Sequence, residues 1–205
     1  HKVPVVYGLT IGEYGKMVNG EKWLKNGVQA KYTIIPMLNY HKKQRYPISE
    51  KPSPNLPNDQ SINLYPSLCF FEGTQVSIGR GTDFPFQVFG SPWLKNHPFK
   101  FTPKPNFGAK DPFLNGKICN GEDLRNYPEI KEKLDLSFVI NAYKNFNKKS
   151  QEFFLKNLWF DTLAGTDELR KQIISGKSEE EIRNSWKQDL QNFEKIRTKY
   201  RIYQD

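Results

Sequence analysis

The stretch "FFEGTQVSIGRGTDFPFQVFGSPW", Phe70 to Trp93, sets Glu72, Arg80 and Asp83 in a run that carries no other charge. Phe70, Glu72, Thr74, Val76 and Ile78 share one parity, so a continuous strand here places Glu72 on an apolar face, with Gly73 leaving the register open. "GRGTDFP" reads as a turn and Phe86 to Phe89 as a second strand, which makes the stretch a hairpin and puts a sheet in the first half of the chain. Gly73, Gly79, Gly81, Pro85, Gly90 and Pro92 give the loop a fixed shape, more than a solvated loop needs. A charge among apolar residues must be paired or used, because removing it from water is costly. Two readings stay open: an internal Glu72 to Arg80 ion pair that fixes the hairpin, or a set of charges that faces a ligand.

Working outward, "FKFTP" (Phe99 to Pro103) alternates as a third strand. "KYTIIPML" (Lys31 to Leu38) is β-branched and apolar and reads as another, with Pro36 marking an edge or a bulge. Asn39 to Pro66 is rich in proline and asparagine and reads as a long loop, which Tyr40, Tyr46 and Tyr65 argue is ordered. Thr10-Ile11-Gly12-Glu13 is a capping box and predicts a helix from about Ile11 to Asn19. After the third strand the periodicity turns helical. Phe138, Val139, Ala142, Tyr143 and Phe146 fall on one face, and so do Leu169 and Ile173. Ser178-Glu179-Glu180-Glu181 is a second capping box, followed by the stripe Ile182, Trp186, Leu190, Phe193, Ile196 and Tyr200, which is expected to be core. Strands first and helices after predict an α+β fold, a mixed or antiparallel sheet with helices packed on one face, in a single domain spanning 1–205.

The chain has 205 residues and a net charge of +9, enough length for one sizeable core and a bias towards anionic partners. Its lysines stand singly or in pairs, and no helix carries a run of Arg and Lys with base-reading partners, so a nucleic-acid partner is not expected. No apolar run is long enough to span a membrane. The first residue is His1, so an export signal or a preceding domain would lie outside the sequence. Cys69 and Cys119 show no metal-ligand spacing, and two buried free thiols are the simpler reading, with a disulfide left open.

No nucleophile turn, phosphate loop or zinc pair is present, and His1, His41 and His97 are too scattered for a metal site. No metal or cofactor is expected. Trp93 reads either as a sugar platform or as a core residue. Asn55, in the rigid "PSPNL", suits ligand contact or a plain turn. Asn19 and Glu21 read as a helix end and a solvated charge.

The segments "SPNLP", "YPSLCFFEGTQVSIGRGTDFPFQVFGSPW" and "FDTLAGTDELRKQIISGKSEEEIRNSW" together resemble the C-terminal half of the exo-β-N-acetylmuramidase family, the NamZ-type glycoside hydrolases of peptidoglycan recycling. The opening "VPVVYGLTIGEYGKMVNGE" resembles the segment with which that half begins. The resemblance implies removal of terminal N-acetylmuramic acid from the non-reducing ends of peptidoglycan-derived saccharides, in the periplasm or outside the cell. It implies two lobes, with a Rossmann-like N-terminal lobe that holds the main catalytic carboxylates and is absent from this chain. The chain alone is then expected to be inactive, and to act as the substrate-binding lobe alongside its N-terminal lobe. Glycoside hydrolysis ordinarily needs two carboxyl groups about 5 to 9.5 Å apart, and no such pair is assigned here. Within this chain Glu72 is the first catalytic candidate. Glu72, Arg80, Asp83, Trp93, Tyr40 and Asn55 are the expected substrate contacts. The alternative is a non-catalytic cell-wall carbohydrate-binding module.

Overall fold

The structure, a computed structural model, describes residues 1–128, 133–149 and 151–203. The chain, expected as one domain, divides into two compact units: His1–Tyr46 with Arg183–Asp205, and Pro47–Ile182.

In the first unit the Thr10 box forms as expected and starts α1, Ile11–Gly20. Its Glu13 does more than cap. The carboxylate is fully buried and accepts N–H groups from Thr10, Ile202 and Tyr203, at 2.8, 2.8 and 3.1 Å, and the Lys42 ammonium at 3.1 Å. Burial alone pushes its pKa up, but these donors outweigh it and hold the group at about 2. One side chain thus ties the C-terminal segment to the first helix. Lys31 to Leu38, expected as a strand, takes no regular secondary structure here.

The larger unit opens with α2, Asp59–Leu68, inside what the sequence presents as loop. Asn58 caps it reciprocally with Ser61, and Pro66 sits near its end, where it costs few helical hydrogen bonds. Residues Cys69–Gly73 then form a 3₁₀ turn, not the expected strand. Such a turn spreads successive side chains by about 120°, so Phe70 and Phe71 go into the core while Glu72 reaches the surface. Gly73 is required: a Cβ there would lie 2.3 Å from the Phe160 nitrogen.

Three strands follow, β1 (Val88–Ser91), β2 (Phe99–Phe101) and β3 (Cys119–Asp123), antiparallel in the order β1-β3-β2. The first begins two residues later than expected, and the third was not foreseen. Alternation splits the sheet's faces. Val88, Phe101 and Cys119 join Leu114 in one cluster, whereas Phe89 stacks on Phe71 of the 3₁₀ turn and meets Phe138 edge-on. Phe138 belongs to α3, Ser137–Asn145, so helical segments pack on the Phe89 face. Gly90 pairs with Gly121, and a Cβ on Gly121 would overlap the Phe89 carbonyl at 1.8 Å. The helices α4 (Trp159–Ala164), α5 (Glu168–Ile174) and α6 (Glu179–Thr198) complete an α+β fold.

The Ser178 box forms at the start of α6. Its stripe is only partly core. Ile182 and Phe193 are buried, Trp186, Ile196 and Tyr200 are half-buried, and Leu190 is exposed. Cys69 and Cys119 are buried free thiols, each pushed up to about 12 by burial.

Candidate functional site

Of the six expected contact residues, Glu72, Arg80, Asp83 and Asn55 lie in turns and loops of the larger unit, Trp93 packs half-buried beside its sheet, and Tyr40 belongs to the other unit. Glu72 and Arg80 meet as an ion pair. Both Nε (3.3 Å) and Nη2 (2.7 Å) of Arg80 donate to the same oxygen, Glu72 Oε1. Glu72 Oε2 and Arg80 Nη1 make no hydrogen bond among the described residues. The guanidinium lies over the Phe86 ring at 5.2 Å, and Phe86 in turn packs on Tyr65 at 4.8 Å. The Arg80 side chain is 38% exposed and Glu72 23%. The pair is therefore fixed from beneath by aromatics and open from above. Burial, with Cys69 and Glu72 nearby, pushes the Tyr65 phenol up, while Arg80 opposes that shift.

The loop that carries Arg80 is held by its own backbone. Thr82 N donates to the Gly79 carbonyl at 3.0 Å and Thr82 Oγ1 donates to it at 2.6 Å, while Phe86 N donates to Ile78 at 2.8 Å. Gly81 has φ +81°, and a Cβ there would meet the Lys104 carbonyl at 2.6 Å. Gly81 thus lets a second loop, residues 102–109, lie against the first. Asn106 Nδ2 donates to the Thr82 carbonyl at 3.2 Å, and Asn55 Nδ2 to the Gly108 carbonyl at 2.8 Å.

Between these loops lies a cleft of about 520 Å³ lined by Lys51, Ser53, Thr82, Asp83, Asn106 and Phe107 with three prolines and Gly108. Asp83 is exposed in it and has no partner among the described residues. Phe107 is 92% exposed. Asn55, by contrast, is buried and uses its amide to hold the cleft wall.

Trp93 packs against Phe146 at 6.1 Å and beside the sheet cluster, with Lys117 Nζ 5.6 Å from its ring. The ring is half-buried there. Tyr40 lies in the other unit, edge-on to Tyr203. The sequence reading missed Phe86, Phe107 and Asn106. In the sequence Phe86 reads as a strand residue, although it stands six residues after Arg80, just past a glycine turn. Nothing in the sequence marked Phe107 as exposed.

Among the described residues no group of three or more His, Cys, Asp or Glu side chains is placed to hold a metal ion, and no helix is long and apolar enough to cross a membrane.

Comparison with known proteins bears on the same loops. A family model described as "Exo-beta-N-acetylmuramidase NamZ, C-terminal" matches residues 63–203, and its N-terminal companion matches residues 1–60. The peptidoglycan β-N-acetylmuramidase NamZ of Bacillus subtilis (strain 168) is 31% identical over 99% of this chain and 52% of its own length. A crystal structure of a DUF1343 family protein from Bacteroides fragilis NCTC 9343 superposes with a TM-score of 0.90 at 44% identity, over 98% of this chain and 57% of that one. A second from the same organism, at 19% identity and a TM-score of 0.75 over 99% of this chain and 58% of that one, shares the fold. The chain thus spans about half the length of the relatives it matches. By the match over residues 63–203, this chain belongs to the exo-β-N-acetylmuramidase NamZ family.

Proposed function

We propose that the larger unit binds the terminal N-acetylmuramic acid of peptidoglycan fragments for an exo-β-N-acetylmuramidase whose main catalytic carboxylates come from the rest of the N-terminal domain. The observation that carries this reading is the half-exposed Arg80 fork, tied to a single oxygen of Glu72 and backed by Phe86. N-acetylmuramic acid differs from N-acetylglucosamine by a lactyl ether ending in a carboxylate. A planar guanidinium that is held in direction and still has donors to give suits that group. Glu72 orients the Arg and keeps one oxygen for a sugar hydroxyl. Asp83, Asn106 and Ser53 offer further polar contacts in the cleft, and the Phe107 ring offers an apolar face for the pyranose. Family members that recycle or scavenge cell wall would do this chemistry in the periplasm or outside the cell.

The test is Arg80→Lys in the intact protein, assayed on muramic and glucosamine glycosides. Lysine keeps the charge and loses the fork. Hydrogen bonds to charged groups contribute about 1.5 to 3 kcal/mol, so a selective loss of roughly ten- to a hundredfold on the muramic substrate is expected, with the fold intact. Equal loss on both sugars, or a fall in stability that accounts for the whole effect, overturns the reading and leaves Arg80 as a purely structural partner of Glu72.

A further inference from the structure

The segment Lys31 to Leu38 has the composition of a strand and the surroundings of none. Ile35 is 88% exposed and Leu38 90%, and Tyr32 and Met37 are exposed beside them. Among the described residues, the backbone of residues 31–36 makes no backbone hydrogen bond. Isolated β-branched, apolar chain of this kind has no reason to stay exposed unless something covers it.

The segment is nevertheless half of a layered arrangement. Ile34, its one partly buried residue, lies on α1, where a Cβ on Gly12 would come 3.0 Å from Ile34 Cγ2. The Tyr32 hydroxyl sits 4.0 Å from the place of a Cβ on Gly15, on the same helix. Tyr32 and Ile34 therefore face a helix, as alternate side chains do when a helix covers one face of a sheet, and Lys31, Thr33 and Ile35 alternate away from it. Proline decides which edge pairs. In a strand the N–H and C=O of one residue point to the same edge and those of the next to the other. Pro36 has no N–H, so the edge formed by residues 32, 34 and 36 is interrupted. The edge formed by Lys31, Thr33 and Ile35 is complete, and it ends at Met37, whose N–H already donates to the Tyr203 hydroxyl at 2.8 Å.

We propose that Lys31 to Leu38 is a strand lacking its sheet, and that the remaining part of the N-terminal domain completes that sheet by pairing with Lys31, Thr33 and Ile35. Two observations choose this occupant. Residues 1–60 match the family's N-terminal model, and the relatives carry roughly as much chain outside the matched region as within it. The inference rests on family membership and not on the identity of the sugar, so it stands or falls separately from the Arg80 reading.

Residue-resolved hydrogen exchange tests it, comparing the 205-residue chain with the intact Bacteroides fragilis relative. In the chain alone the amides of residues 31–35 should exchange close to the unprotected rate. In the intact relative, the positions equivalent to Lys31, Thr33 and Ile35 should be protected by about a hundredfold or more, and those equivalent to Tyr32 and Ile34 should not. Ile35→Asp should leave the chain's melting temperature unchanged, and the same substitution at the equivalent position should lower that of the intact relative. Fast exchange at the equivalent positions in the intact relative overturns the proposal. So does protection of both parities, or protection in the chain alone that grows with concentration, which would make a second copy the partner.

Discussion

Residues 64–94 and residues 28–46 both contain runs of apolar and β-branched side chains, and they meet opposite fates. In the first, Phe70, Phe71, Val76, Ile78, Phe86, Val88, Phe89 and Leu94 are all buried. In the second, Val28, Tyr32, Ile35, Met37, Leu38 and Tyr46 are exposed. The difference is not in the residues but in whether the chain supplies their partner. Phe71 has Phe89, and Gly73 lets α4 come close enough to cover Phe70 with Phe160. Ile35 and Leu38 are left 88% and 90% exposed. An apolar run is thus a demand for a surface, and the 64–94 stretch spends its demand on building the loop that presents Arg80.

Substitutions can break this comparison. The largest effects belong to buried groups with many partners. Glu13→Ala removes a buried carboxylate from three backbone N–H groups and leaves the Lys42 ammonium, largely buried, without that partner. Breaking a buried pair in this way costs about 3 to 5 kcal/mol, read by denaturant unfolding and by loss of amide protection at Ile202 and Tyr203. The same group gives an acid limb. Because its folded pKa is lowered from 4.5 to about 2, its contribution is full above about 4.5 and is lost as pH falls from there to about 2. The alanine variant should lack that limb.

Phe71→Ala should cost a similar 3 to 5 kcal/mol, since both rings of the Phe71–Phe89 stack are fully buried. Trp186→Ala comes next. The ring is half-buried on α6, so about 1 to 2 kcal/mol is expected, short of a full core truncation. Leu38→Ala is the smallest, within about 0.5 kcal/mol in this chain. A cost for Leu38 comparable to that for Phe71 would mean the contrast between the two regions is false.

How far the sequence discloses this depends on whether a feature is local. Both glutamate capping boxes and the helices α3, α5 and α6 follow from residues within a few positions of each other. The helix α2 does not, because its cap uses Ser61 where glutamate is usual and Pro66 lies within it. The parity of Glu72 pointed to a strand, but the close approach of Phe160 to Gly73 and the burial of Phe71 select a 3₁₀ turn, and neither partner is near in sequence. Strand β3, "CNGED", has little strand propensity and is held by Gly121 lying against β1. For the site, the pairing of Glu72 with Arg80 was one of two open readings. The aromatic floor of Phe86 and the cleft against residues 102–109 needed tertiary structure.

The central claim is that Arg80 meets the lactyl carboxylate, and a cycle across protein and ligand tests it most directly. Four kcat/KM values are needed, for the intact protein and its Arg80→Ala variant, each with a muramic glycoside and with its lactyl methyl ester. If the guanidinium binds that carboxylate, esterification costs the unaltered protein roughly ten- to a hundredfold and costs the variant almost nothing, a coupling of about 1.5 to 3 kcal/mol. Equal losses in both proteins, and hence no coupling, would contradict the account.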